Sequence, residues 1–205
     1  MKTGSFNTIQ IDALREVSNI GAGHAATALS DMTGQKVLIN VPVIAVDDLA
    51  TIFKKTAGPD QPVVGVLIGL TGDINGRTLL LFAEGEAFRF CESLLRRPTG
   101  SVSGLSDIER SALNETSNIL TCAYMNALAD LLGMMVVPST PELLYDTAEA
   151  VLRQVGARTA PGGEIVVSIK NEFTFIDQGL KLLGYFLLLP DADSLQSIFR
   201  SMHLG

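Results

Sequence analysis

Two glutamate–asparagine pairs are the residues of this chain whose types and spacing could do chemistry. Glu16 and Asn19 lie three positions apart, and so do Glu115 and Asn118. On a helix, side chains three apart share a face. Asparagine has no useful proton-accepting base at neutral pH, but its carboxamide can accept from a water and donate to another acceptor. Glutamate can pair with a cation on a partner. A carboxylate plus a water-orienting amide, with no nucleophile beside them, fits one reaction: hydrolysis of a phosphoryl group that is already activated and already held by a metal elsewhere. Phosphoryl transfer needs positioning and charge stabilisation more than covalent help. An acyl phosphate on another protein would qualify.

Other chemistries find less support. His24 and His203 are lone residues, so no Ser/His/Asp arrangement forms, and no His/Cys spacing suits zinc. Glu16 with Asp12, or Glu115 alone, is too sparse for a tight metal site of the chain's own. The segment GAGHAA matches a loose dinucleotide pattern, but it sits inside a helical stretch instead of following a strand. Cys91 and Cys122 lie in helical patterns with no CxxC, and read as reduced, buried thiols.

The stretch that must position the pairs is written twice. Residues 12–42 and 111–141 align without a gap at a constant offset of 99 positions. Leu14/Leu113, Glu16/Glu115, Ser18/Ser117, Asn19/Asn118, Ile20/Ile119, Asp31/Asp130, Gly34/Gly133 and Pro42/Pro141 are among the identities. This marks an internal duplication. At ~100° per residue, Asp12, Glu16 and Asn19 fall within about a sixth of a turn, with Leu14, Val17, Gly21, Ala25, Ala28 and Met32 opposite. Ser111, Glu115 and Asn118 repeat the polar stripe, opposite Leu113, Thr116, Leu120, Tyr124, Ala127 and Leu131. Docking on a core explains the apolar sides. It does not explain why Glu and Asn recur at one place on both wet sides.

The remaining elements follow in the same order in each half. The first half predicts a helix over 8–33 capped by Asn7 or Thr8, with Gly21 and Gly23 admitting another backbone. A strand over 37–48 bent at Pro42, a helical turn over 48–55, a hairpin turning at GDING and a helix over 84–96 come next. RPTGSVSG links the halves. The second half predicts a helix over 105–132 with a Ser106/Glu109 capping box, a strand over 134–138, a helix over 141–156, a strand pair from Glu164 to Pro190 and a closing helix capped by Asp191 or Asp193. The expected fold is α+β: one domain of two repeats, about 8–97 and 105–205, forming a pseudo-two-fold sandwich of β-sheet and long helices.

With 205 residues, net charge −7 and pI about 4.8, the chain can bury a sizeable core and has no general attraction to nucleic acid. MKTGSFNTIQ lacks an apolar export signal, and no apolar run reaches the ~20 residues that span a membrane. A cytoplasmic protein without membrane insertion is expected.

The pattern Asp or Ser, three residues, Glu, two residues, Asn and a proline some twenty residues on resembles the CheC/CheX/FliY phosphatases. Asp12, Glu16, Asn19 and Pro42 match it, as do Ser111, Glu115, Asn118 and Pro141. NIGAGHAATALS and ALADLLG are most similar to the CheC branch, and the resemblance covers essentially the whole chain. It implies an enzyme that hydrolyses the aspartyl phosphate of the chemotaxis response regulator CheY. Glu16 and Glu115 would contact a regulator lysine, and Asn19 and Asn118 would orient the attacking water. The resemblance implies no cofactor of the chain's own, with Mg2+ held by the regulator. A stand-alone chain with two motifs is expected to be monomeric. An Asp in the helix after the second proline, at Asp146 here, is tied in the family to binding the receptor deamidase CheD. An adaptor that captures CheD or phosphorylated CheY with little catalysis is therefore the alternative. A switch component like FliM is disfavoured by the paired Glu/Asn sites.

Overall fold

The computed structural model describes residues 8–159 and 165–201. The proposed cap Asn7 and the lone His203 lie outside them. The first half runs α1 (Thr8–Thr33), β1 (Val37–Asp48), α2 (Leu49–Thr56), β2 (Pro62–Gly72), β3 (Gly76–Ala83) and α3 (Glu84–Leu94). The second runs α4 (Asp107–Leu132), β4 (Val136–Pro138), β5 (Glu142–Thr147), α5 (Ala148–Ala157), β6 (Ile165–Phe175) and β7 (Leu180–Pro190), and closes with α6 (Ala192–Ser201).

All seven strands form one antiparallel sheet in the order β1-β6-β7-β3-β2-β4, with β5 also on β2. The order is palindromic between halves. β3 and β7 pair at the centre, with Leu79 opposite Leu187. Each outer position is taken by the first strand of the other half: β1 lies on β6, and β4 and β5 lie on β2. Neither half completes a sheet with its own strands.

Side-chain alternation along the strands divides the core. Leu80, Phe82, Phe186 and Leu188 face a large cluster under α1, α3 and α4. Leu79, Leu81, Leu187 and Leu189 face a smaller one under α2 and α5. The sheet is thus the middle of three layers, which is why its inner strands read as continuous apolar runs.

The repeated prolines mark equivalent irregularities. The β1 register shifts by one residue between Asn40 and Val43, across Pro42. Pro141 falls between β4 and β5, and the register along β2 shifts by one there too, from Leu70 opposite Pro138 to Leu67 opposite Glu142. A residue without an N–H fits where a ladder bond is missing.

One expected element is corrected. Residues 141–156 are not a single helix: 142–147 is strand β5 and the helix starts at Ala148. Glu, Leu and Ala favour a helix locally, but pairing with the buried β2 overrides that preference. Thr147 caps α5 by accepting from the Ala150 N–H at 3.3 Å, as Asp48 caps α2 by accepting from the Thr51 N–H at 2.8 Å. Asp48 and Thr147 stand at the offset of 99.

The two long helices pack on each other through Gly21. A Cβ there would lie 2.5 Å from Tyr124 Cδ1 and 3.0 Å from Tyr124 Cα, so only glycine admits this approach. Gly23 is different, because it is exposed with nothing within 4 Å of a Cβ. Met32 and Leu131 also depart from expectation. They lie on the apolar stripes but are exposed, because the stripes run past the end of the packed surface. Gly21→Ala should destabilise the fold by about 1–3 kcal/mol through overpacking. Gly23→Ala should stabilise it by up to about 1 kcal/mol through helix propensity. Urea unfolding of the two variants checks this, and equal effects would refute it.

Candidate functional site

The sites are built from α1 and α4 upward. Each helix buries one side against the sheet and its partner. Leu14, Val17, Ala25 and Leu29 do so on α1, and Leu113, Leu120, Tyr124 and Leu128 on α4. Tyr124 donates to Asn171 Oδ1 on β6 at 2.6 Å and stacks 4.6 Å from Phe186. Burial pushes the phenol pKa up, so it remains a donor. Thr121 exchanges a 2.9 Å hydrogen bond with Thr78 of β3. These contacts leave α4 no freedom to rotate about its axis, and so fix which side faces solvent.

The N-terminal end of α4 is pinned separately. Ser106 donates its N–H to the Glu109 carboxylate at 3.0 Å and its hydroxyl to the same group, and the Arg97 guanidinium pairs with it. The Ser106 hydroxyl holds the Glu109 carboxyl below the usual range against the opposing effect of desolvation, and Arg97 adds to it. The segment joining the halves is thereby tied to the helix that carries the second pair.

On α1, Asp12, Glu16 and Asn19 are exposed on one face. Asp12 forms an exposed ion pair with Arg15 at 2.7 Å. On α4, Ser111 and Glu115 are exposed and Asn118 is half-buried. Ser111, Glu115, Asn118 and Pro141 border one open cleft of about 350 Å³, together with Arg110 and Asn114. The second motif is thus gathered in space, proline included. Pro42 lies in β1, at the bulge equivalent to the Pro141 gap.

The two copies differ in what touches the asparagine. The Cys122 thiol donates to Asn118 Oδ1 at 3.9 Å. Burial, and then the Glu115 carboxylate, push its pKa up, so the sulfur keeps its proton. At the matching position α1 has Gly23, which offers no group. Burial pushes the Cys91 thiol to about 12, which leaves it inert. His24 is exposed. Among the described residues, no three His, Cys, Asp or Glu side chains are placed to hold a metal ion, and no helix is long and apolar enough to cross a membrane.

Asp146 is exposed, but it lies in strand β5 and not in a helix, and its carboxylate accepts from the Thr147 N–H at 2.7 Å. Arg110, Asn114 and Cys122 were not singled out by sequence reasoning as site residues. Asn114 and Arg110 lack counterparts of like type at the offset, where Arg15 and Ile11 stand. Only their position on the helix face could have drawn attention to them.

Comparisons with known proteins follow this geometry. Residues 9–46 match the model of the CheC-like family. The chain is 32% identical over 202 residues to the CheY-P phosphatase CheC of Bacillus subtilis (strain 168), an alignment covering 95% of each chain. It is 27% identical over 166 residues to the flagellar motor switch phosphatase FliY of the same organism, covering 80% of this chain and 42% of that one. The X-ray structure of Thermotoga maritima FliY shares the fold, with a TM-score of 0.78 at 21% identity, covering 98% of this chain and 100% of that one.

Glu109→Gln should cost about 1–3 kcal/mol at neutral pH, the range for leaving buried partners of a carboxylate unsatisfied. Because the folded carboxyl titrates below its unfolded value of about 4.3, its contribution is present above that value and is lost as pH falls through the folded pKa. Urea unfolding from pH 7 to pH 3 should show the gap between wild type and variant closing at the acid end. A gap independent of pH would rule this out.

Proposed function

The chain belongs to the CheC-like family, and from that premise we propose that it hydrolyses the aspartyl phosphate of the response regulator CheY. We assign the work to Glu16 with Asn19 and to Glu115 with Asn118. The observation that carries this reading is the recurrence of the pair on the sides of two helices that lie away from the faces they pack on the core. The 32% identity to a CheY-P phosphatase along nearly the whole chain supports it.

The glutamate carboxylate, exposed in both copies, engages a cation beside the regulator's phosphoryl group and sets the register of docking. The asparagine carboxamide, one turn on, accepts a hydrogen bond from a water and holds its oxygen in line with the bond to be broken. Water oxygen bonds to phosphorus as the phosphorus–oxygen bond to the aspartate breaks. The aspartate leaves as carboxylate and the water's protons pass to phosphate and solvent. Mg2+ is assigned to the regulator, where it would neutralise charge on the phosphoryl oxygens. This chain contributes position and orientation, which suffice for a reaction of this class.

Glu16→Ala/Glu115→Ala and Asn19→Ala/Asn118→Ala should each lower turnover of phosphorylated CheY by ~10²-fold or more, the scale of removing a transition-state-positioning group. The readout is decay of phosphorylated regulator with Mg2+ and substoichiometric enzyme. Folded variants with wild-type rates would defeat the assignment.

A second reading adds capture of the receptor deamidase CheD. The observation favouring it is Asp146, an exposed carboxylate on strand β5, which pairs with β2. Asp146→Lys should abolish CheD capture in a pull-down while leaving dephosphorylation intact. Undiminished capture would remove Asp146 from the contact.

A further inference from the structure

Among the residues that the exposed faces of α1 and α4 share, one is a large apolar residue. Ile9 and Ile108 stand at the same offset of 99 and are 63% and 55% exposed. Each precedes its glutamate by seven positions, two helical turns, and so lies on the glutamate's side of the helix about 10 Å away along the axis. Met32 and Leu131 are also exposed and also equivalent, but they continue the stripes that face the core. Packing does not account for Ile9 and Ile108, which point away from the core.

We propose that Ile9 and Ile108 are docking anchors that seat an apolar patch on the phosphorylated regulator beside its phosphorylation site. The inference rests on the phosphatase reading and names how that partner is held. A specific protein interface covers about 800 Å² on each side, a disc of about 16 Å radius. A partner seated on the glutamate, with its phosphoryl group at Asn19 or Asn118, therefore also covers the isoleucine about 10 Å along the same stripe. A large apolar side chain that such an interface takes out of water adds to affinity. Exposed charged or polar groups stand nearby: Asp12 and Arg15 in one copy, Asp107, Arg110 and Ser111 in the other. Glu and Asn act on the reacting group, whereas Ile9 and Ile108 act on residence.

The test compares the wild-type chain with Ile9→Ala/Ile108→Ala and with Ile9→Leu/Ile108→Leu. Alanine is a strong helix former at exposed positions, so the truncation does not endanger the fold. Two quantities are read: affinity for beryllofluoride-activated CheY with Mg2+ by calorimetry, and the kinetics of phosphorylated CheY decay. The alanine variant should bind at least tenfold more weakly and raise KM by a similar factor, with kcat within twofold of wild type. The leucine variant should restore most of the affinity. Wild-type affinity in the alanine variant overturns this inference alone. A wild-type chain that neither binds nor dephosphorylates the regulator overturns the phosphatase reading, and this inference with it.

Discussion

The close approach of α1 to α4 at Gly21 is the constraint on which the rest of the structure depends. Tyr124 fills the space a side chain at Gly21 would take, and its hydroxyl is tied to Asn171 on the sheet. One residue thus touches the partner helix, the sheet and the core. Because that side chain cannot move, neither helix can turn about its axis, and the stripes bearing Glu16/Asn19 and Glu115/Asn118 must face outward. The exchanged strands add a second lock. Each half's hairpin is completed by the other half's first strand, so the two helices cannot separate without breaking sheet pairing.

Much of this was legible in the sequence because the duplication supplies its own control. A residue repeated at the offset on a wet face asks for an explanation that packing cannot give, which is how the Glu/Asn pairs stood out. Gly34 and Gly133 were readable as helix stops for a related reason: both adopt the left-handed conformation, with φ of 61° and 64°. The reading failed where local preference was trusted over the repeat. Residues 142–147 match 43–48 at the offset, and the latter were correctly read as strand. The same comparison applied to Asp146, which matches Asp47, would have placed it on a strand as well. Ile9 and Ile108 were visible in the same way, but they lie outside the window aligned on the prolines.

What no repeat could show is how the copies have diverged in contact. Asn118 receives a hydrogen bond from the Cys122 thiol, where Asn19 has only Gly23 one turn on. The cleft beside Glu115 includes Arg110, where the first copy has Ile11. These differences arise from single substitutions at equivalent positions, and each alters local charge or side-chain freedom while the pair itself is kept. In the proposed role, a carboxamide held on one side would have less rotamer freedom to lose on binding water, which would make the second copy the better pre-organised.

Duplication also relaxes a conflict that a single site faces. A helix face that must carry an exposed glutamate, asparagine and isoleucine cannot contribute those positions to a core, and an exposed isoleucine invites unwanted association. Here the apolar requirement is met by the inward faces of both helices together, packed on one shared sheet, so neither outward face is needed for stability. The outward residues are then free to answer only to a partner. That separation explains why buried Ser117, exposed Glu115 and half-buried Asn118 all recur in the other copy, at Ser18, Glu16 and Asn19. Buried identities keep two helices at one spacing, and exposed identities keep two surfaces fit for one ligand.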